Sequence, residues 1–229
     1  WLDEAARDAR LGELRDRADL LAGPAGDMVV FEGNVPADVT TSRVLDGCLA
    51  ELPRETSVVS PLAWLGEAVQ IKEPPLLRFR RQSGTNLLVV GQQPEEALGV
   101  LAAATLALAA QHAPGDGGRF VVCDGSAADE SSGETWRKVA ETLPHVFQLV
   151  RPRKVSEALE ELAAEVARRD REDDETAPPI YLVLFHLGRF RDLRPGEDDF
   201  GFGSSFGGGD DEKPVSSSVR LATILRDGP

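Results

Sequence analysis

The chain has 229 residues, 41% hydrophobic and 28% charged, which suits one sizeable globular core or a core with an appendage. The formal net charge of −14 argues against a nucleic-acid-binding surface on this chain, because neutralising phosphates requires clustered Lys and Arg. Cys48 and Cys123 are the two cysteines, far apart and in apolar contexts, which indicates a reducing compartment and excludes a Cys-based zinc site.

The first sixty residues are predicted to form a helical and strand-containing lead-in. Residues 1–22 have the period of an amphipathic helix, and residues 28–31 are a short strand candidate. A second helix is expected to end before Pro53 and to begin at one of three capping residues. The candidate caps are Thr40, Thr41 and Ser42. We therefore expect the main domain to begin at about residue 61.

The centre of the chain has the pattern of a strand, a glycine turn and a buried helix. Residues 69–71 are a strand candidate, and the apolar run at residues 87–90 is a second one that stops at Gly91. A short polar turn follows, and a long, almost wholly apolar helical run extends to about residue 110. This order is typical of nucleotide-binding α/β domains, in which the helix N-terminus meets phosphate.

Three more apolar runs of strand length alternate with helical patterns. The strands are predicted at residues 119–124, 146–150 and 180–185, and the helices at residues 134–142, 154–171 and 219–225. Continuous apolar strands that alternate with helices indicate a mostly parallel sheet buried on both faces. The predicted fold is therefore α/β, a three-layer α/β/α domain over residues 61–229 that is incomplete at its C-terminus.

A low-complexity stretch and the chain ends complete the pattern. Residues 195–218 are rich in Gly, Ser, Asp and Glu, and their acidic pairs lack the spacing of a calcium loop, so we expect a solvated loop and no metal site.

No apolar run reaches the length of a membrane span. The chain opens at Trp1 and closes on a turn, so we expect a piece of a longer protein. We expect it to be cytoplasmic without membrane contact, with any tether in other parts of the parent chain.

Four stretches occur in a fixed order: NLLVVGQQ, FVVCDG, LPHV with a helix that ends in Ala167-Arg168-Arg169, and PPIYLVLFHLGRF. In this order they resemble the ATPase domains of the FtsK/SpoIIIE family, including those of the type VII secretion motor EccC. The resemblance covers about residues 64–229. It implies a P-loop NTPase fold in which residues 91–98 take the place of the phosphate loop and residues 180–185 form the strand that leads to the Walker B acid.

The residues that would bind phosphate and magnesium in that family are missing. Laid on G-x-x-x-x-G-K-[ST], Gly91 matches the first glycine. The second glycine, the lysine and the hydroxyl residue are replaced by Glu96, Ala97 and Leu98. Phe185, or His186 under a one-residue shift, takes the place of the metal-directing aspartate. Phosphoryl transfer then loses its electrostatic stabilisation. The remnant loop consists of Gly91, Gln92, Gln93, Pro94, Glu95, Glu96, Ala97 and Leu98.

The leading interpretation is a non-catalytic FtsK/SpoIIIE-like module. It would act as a scaffold, interaction or regulatory domain of a larger DNA-translocating or type VII secretion-like motor, without a cofactor. Glu95 and Glu96 either favour the helix dipole or occupy the anion site themselves and keep nucleotide out. The alternative is an active FtsK-like translocase domain that binds ATP and magnesium through an atypical loop. A third interpretation is an interaction domain unrelated to motors.

Arginines form two dense clusters, and each is either a solvated rim or a surface that faces a neighbouring domain. The clusters are Arg78, Arg80 and Arg81, and Arg189, Arg191 and Arg194. We assign the second cluster to an interface. The expected partners are other ATPase domains of the same chain or ring, and DNA or a secreted protein through the full-length protein. His186 and His145 are expected to be structural, and His112 to lie at a helix C-terminus, where a protonated histidine is favourable.

Overall fold

A computed structural model of the chain describes residues 3–21, 42–50, 58–66, 73–82, 84–127, 132–174, 176–194 and 215–228. The chain divides into two compact units, Trp1–Val35 and Pro36–Pro229. Three predicted segments lie wholly or mostly outside the described residues. They are the strand candidates at residues 28–31 and 69–71 and the low-complexity loop at residues 195–218.

The first unit contains helix α1 (Glu4–Leu20), which confirms the predicted N-terminal helix. Asp3 is its N-cap, and the Asp3 carboxylate accepts a hydrogen bond of 2.8 Å from the backbone N–H of Ala6. No residue of α1 is buried, and Leu14 is 60% exposed. The helix is therefore stabilised locally, by its cap and by ion pairs on its surface.

The second unit is built on a parallel sheet whose described strands have the order β4-β3-β5. These strands are β3 (Gly115–Asp124), β4 (His145–Val150) and β5 (Ile180–Phe185). All three confirm predicted strands. The central strand β3 is buried on both faces, since every residue from Phe120 to Cys123 is 0% exposed. Burial raises the pKa of the Cys123 thiol to about 12, so the thiol behaves as a small apolar group.

Helices pack against both faces of this sheet, because successive residues of a strand point to opposite sides. Val121 and Cys123 pack on the face that carries α5 (Val155–Glu172) and α6 (Ser217–Asp227). Phe120 and Val122 pack on the face that carries α3 (Pro94–Ala109) and α4 (Ser132–Thr142). The predicted α/β class, with a parallel sheet between two helical layers, is confirmed.

The outer side of α3 carries three short elements. Helix α2 (Arg43–Ala50) begins after Ser42, whose hydroxyl accepts a 3.2 Å hydrogen bond from the N–H of Leu45, so one of the three candidate caps is confirmed. Strands β1 (Leu62–Trp64) and β2 (Leu76–Arg78) form an antiparallel pair that the sequence pattern did not indicate. Ala63 and Trp64 of β1 pack against alanines and leucines of α3.

The apolar run at residues 87–90 does not form a strand, so this prediction is wrong. Leu88 is 75% exposed and Val90 is 86% exposed. Residues 87–90 pair with neither edge of the described sheet, whose order is β4-β3-β5. An apolar run indicates burial only where a neighbouring strand offers it hydrogen bonds and cover. Of the predicted strand–turn–helix unit, the turn and the helix form and the strand does not.

Candidate functional site

Helix α3 runs antiparallel to the strands, so its N-terminus lies at the carboxyl end of the sheet. Leu98, near the start of α3, packs with Val122 and with Phe185, the last residue of β5. Ala109, the last residue of α3, packs with Phe120 near the start of the pairing in β3. The predicted loop remnant at residues 91–98 therefore lies at the end of the sheet where α/β folds bind ligands.

The start of α3 carries carboxylates and no cation. Gln93 is the N-cap, with φ −105° and ψ 101°, and Pro94 occupies the first helical turn. With its amide nitrogen oriented toward Glu96, Gln93 donates hydrogen bonds of 2.6 and 2.7 Å to the two carboxylate oxygens. Glu95 and Glu96 are both exposed in the first turn. Their negative charge favours the positive end of the helix dipole, as the sequence led us to expect.

The chain leaves β3 and β5 toward opposite faces of the sheet. After β3 it enters α4, on the α3 face, whereas after β5 Phe190 and Leu193 pack on the α5 face. Such a divergence between adjacent parallel strands forms the crevice in which open α/β sheets bind ligands. Gly125 sits in it, and its N–H donates a 3.0 Å hydrogen bond to the carbonyl of Phe185. A Cβ at Gly125 would lie 2.9 Å from that carbonyl oxygen, so only glycine lets the strand ends approach.

Asp124 and two serines form a hydrogen-bonded chain beside this crevice. The Asp124 Oδ1 atom accepts from the N–H of Ser126 at 3.0 Å and from the Ser126 hydroxyl, which in turn accepts from the Ser132 hydroxyl. A Cβ at Gly133 would lie 3.6 Å from Asp124 Oδ2, so this carboxylate faces the N-terminus of α4. A protein carboxylate therefore occupies the place where an anion would meet that helix. The sequence reasoning missed the two serines.

The residues predicted at the position of the metal-directing acid offer no carboxylate. Phe185 is 3% exposed and packs with Val122 and Leu98 in the core. His186 has a left-handed backbone, with φ 57° and ψ 48°, and its ring lies 4.2 Å from the Phe185 ring between centroids. The His186 carbonyl accepts a 2.8 Å hydrogen bond from the N–H of Arg189, which stabilises the turn after β5.

The arginines assigned to an interface lie at the same carboxyl end of the sheet. Two of them lie in successive 3-10 turns, Leu187–Arg189 and Arg191–Leu193, and Arg194 follows the second turn. Phe190, between the turns, is buried. Arg194 Nη2 donates a 3.1 Å hydrogen bond to the carbonyl of Gly188, which ties the second turn to the first. The exposed members of this cluster are Arg189, Arg191 and Arg194.

The other arginine cluster lies at the opposite, amino end of the sheet. Arg81 donates a hydrogen bond to the carbonyl of Ala177, just before β5, and Arg78 donates one of 3.3 Å to the carbonyl of Ser60. Arg80 is exposed beside them. The structure therefore does not bring the two clusters together, and only the cluster after β5 adjoins the predicted loop remnant.

A buried polar group lies at the amino end of the sheet. His112 is 1% exposed, and its Nε2 atom lies 2.7 Å from the Tyr181 hydroxyl oxygen. Burial, with a smaller contribution from His145, lowers the pKa of His112 to about 4. Desolvation therefore outweighs the helix C-terminus that we expected to favour a protonated His112. Burial also raises the pKa of Tyr181, so the pair is neutral at pH 7.

Comparison with protein-family models, curated proteins and solved structures gave no match. Within the residues that the structure describes, no group of three or more His, Cys, Asp or Glu side chains is placed to hold a metal ion. None of the helices in this described part of the chain has the length and apolar content needed to cross a membrane. The candidate site is the carboxyl end of the sheet, where the start of α3, Gly125 and Asp124 lie.

Proposed function

We propose that this chain is a non-hydrolysing FtsK/SpoIIIE-like module, a scaffold, interaction or regulatory unit of a larger DNA-translocating or type VII secretion-like motor. The order of four sequence stretches supports the family, and the parallel sheet with helices on both faces is compatible with it, whereas residues 87–90 lack the strand that the family has before its phosphate loop. The expected partners are other ATPase domains of the parent chain or ring. DNA or a secreted protein would be engaged through the full-length protein, in the cytoplasm.

The observation that carries the proposal is the charge at the start of α3. Glu95 and Glu96 lie in the first turn, at the carboxyl end of the sheet, and residues 91–98 contain no Lys, Arg, Ser or Thr. A phosphate placed over this turn would meet two carboxylates without a cation between them. At about 4 Å each like-charge pair costs about 1 kcal/mol in water and about 4 kcal/mol at a protein surface. Nucleotide binding is therefore opposed at the place where the fold would favour it.

A nucleotide titration tests the proposal directly. We expect Mg-ATP to show no saturable binding to the unchanged chain up to about 1 mM, an affinity limit of about 4 kcal/mol. Phosphate release should equal that of a protein-free blank. Micromolar Mg-ATP affinity, or turnover above the blank, would contradict the proposal and favour the active translocase with an atypical loop.

A paired variant separates the two explanations of the carboxylates. If Glu95 and Glu96 exclude nucleotide, the Glu95→Gln/Glu96→Gln variant should gain measurable Mg-ATP binding. If they only stabilise the helix dipole, the same variant should lose about 0.3–1 kcal/mol of stability per residue and still bind no nucleotide. Urea unfolding and the titration, performed on one preparation, distinguish these outcomes.

A further inference from the structure

A cleft of about 760 Å³ opens at the amino end of the sheet, on the face that carries α5. It lies at the end of the sheet opposite to residues 91–98. Its charged lining consists of Arg119, Glu161, Glu165, Arg168, Arg169 and Arg171. The lining therefore concentrates four of the chain's arginines, although the formal net charge of the chain is −14.

The cleft exists because the second half of α5 leaves the sheet uncovered. Val121 and Cys123 are fully buried on this face, whereas the side chain of Arg119, on the same face of β3, is 37% exposed. The buried residues of α5 end at Leu162. Beyond Leu162 the helix presents charged side chains to the cleft, among them Glu165, Arg168 and Arg169. A charged residue on the central strand of a parallel sheet therefore faces an open polar cleft.

Two of the four arginines are already paired with carboxylates, those of Glu165, Glu172 and Asp174. Arg168 and Arg169 pair with Glu165 at 2.8 and 2.7 Å, and Arg168 also pairs with Glu172. The hydrogen bonds from Arg168 and Arg169 lower the pKa of Glu165 to about 2, so this carboxylate stays ionised. These residues form the wall of the cleft and have little charge to offer a ligand.

Arg119 and Arg171 have donors to spare. Arg119 Nη2 donates to Gln148 Oε1 at 2.6 Å and lies 3.8 Å from the Glu161 carboxylate. Its Nε–H is buried and has no hydrogen-bond partner among the described residues. Arg171 donates to the backbone carbonyl of Ala167 at 3.1 Å, and no ion pair joins it to a carboxylate in the described part of the chain. This buried Nε–H is not open to the cleft, whereas Arg119 Nη1 forms no hydrogen bond within the described residues and can donate to an occupant.

We propose that this cleft binds a small molecule through an oxyanion group, a carboxylate or a phosphate. Arg119 binds the anion at the floor of the cleft and Arg171 contributes at the rim. The two Nη atoms of a guanidinium lie along one edge, which suits two oxygens of such a group. Both groups share this chemistry, so the probes are chosen to separate them.

The test is a titration of the unchanged protein with inorganic phosphate and with citrate, against sodium chloride at matched ionic strength. We expect saturable binding by calorimetry with a Kd of about 1 mM for at least one probe, and a rise in Tm that chloride does not produce. Saturation by phosphate alone assigns a phosphate ester as the ligand class, and saturation by citrate alone assigns a carboxylate.

Three variants locate the binding. Arg119→Gln should weaken it at least about 10-fold, and Arg171→Gln should weaken it by a few-fold. Arg137→Gln removes the same charge from an exposed position of α4, on the other face of the sheet, and should leave the Kd unchanged. If Arg119→Gln fails to unfold cooperatively, Arg119→Lys replaces it, because lysine keeps the charge and lacks the paired donors.

Two results would overturn the proposal. One is that neither probe saturates the unchanged protein, and the other is that the Arg119 and Arg171 variants bind the probe as tightly as the unchanged protein does. Its failure leaves the nucleotide result at the other end of the sheet unaffected.

Discussion

His112 shows how burial changes the chemistry of a single side chain. Its ring lies against Tyr181, its backbone carbonyl lies 3.3 Å from His145 Nε2, and its pKa falls from 6.5 to about 4. The unfolded chain therefore binds a proton at a higher pH than the folded chain does. Because the unfolded state gains that proton first, acid favours unfolding.

We predict that the free energy of unfolding decreases as the pH falls from 6.5 toward 4. The loss attributable to His112 approaches about 3 kcal/mol, at 1.36 kcal/mol for each pKa unit. Above pH 6.5 His112 adds no pH dependence. Glu165, whose pKa is lowered from 4.5 to about 2, loses its contribution only below about pH 4.5, so the window above that value isolates the histidine.

Urea unfolding at several pH values between 7 and 4.5 measures this loss. His112→Gln removes the titrating ring and should flatten the curve in that window, with some loss of stability at pH 7. A curve for His112→Gln that keeps the slope of the unchanged protein would show that another group is responsible.

The residues of the candidate site illustrate what a sequence can and cannot reveal. Glu95 and Glu96 were placed correctly at the start of a buried helix, because apolar periodicity and an N-terminal proline define that helix start locally. Ser126 and Ser132 were missed. Their hydrogen bond joins the end of β3 to the start of α4, and no local pattern encodes a meeting of that kind.

At the scale of elements, α5 is the main cover of one face of the sheet. Leu159 is 0% exposed and packs with Val121 and Cys123 of the central strand. The periodic apolar residues of α5 also give it the clearest amphipathic pattern of any helix in the sequence. Packing of α5 against β3 therefore contributes a large share of the stability of the second unit.

We predict that Leu159→Ala lowers the free energy of unfolding by about 2–5 kcal/mol, through lost burial and the cavity that remains. Asp170→Ala, at an exposed position of the same helix, should change it by less than about 0.5 kcal/mol. Chemical denaturation of both variants measures the difference. Similar stability of the two would mean that α5 is not packed on the sheet as described.

The errors at this scale have one cause. Strands β3, β4 and β5 and the helices around them were predicted, since their apolar patterns are long and their neighbours bury them. Residues 87–90 carry an equally apolar pattern and stay exposed, whereas β1 and β2 form where the pattern is weak. Whether a short run becomes a strand depends on the partner that the tertiary structure supplies, and a single sequence does not contain that information locally.

At the scale of the molecule, charge is distributed unevenly. The chain as a whole is acidic, but a cluster of arginines follows β5 at the carboxyl end of the sheet. The buried side chain of Phe190 anchors the turns that carry this cluster. Fixing cations on a short anchored turn reduces the entropy lost when they meet a partner. In the proposed motor this surface would face an acidic region of a neighbouring ATPase domain.

If the proposed motor is correct, we predict that Arg189→Glu/Arg191→Glu weakens association of the chain with a neighbouring ATPase domain by at least about 10-fold, a loss of about 1.4 kcal/mol. Arg80→Glu, exposed at the opposite end of the sheet, serves as the control and should associate normally. Analytical ultracentrifugation of mixtures measures both. Unchanged assembly of the double variant would remove the interface assignment.

The strand order β4-β3-β5 also determines when each edge of β3 can pair during synthesis of the chain. On one side β3 pairs with β4, where Arg119 lies opposite Val146. On the other side it pairs with β5, where Arg119 lies opposite Ile180, and β5 is synthesised only after the whole of α5. Until the ribosome releases that last strand, one flank of β3 is an open template to which other polypeptides can add. A pause in translation between β4 and β5 therefore leaves one edge of the most buried strand without its partner.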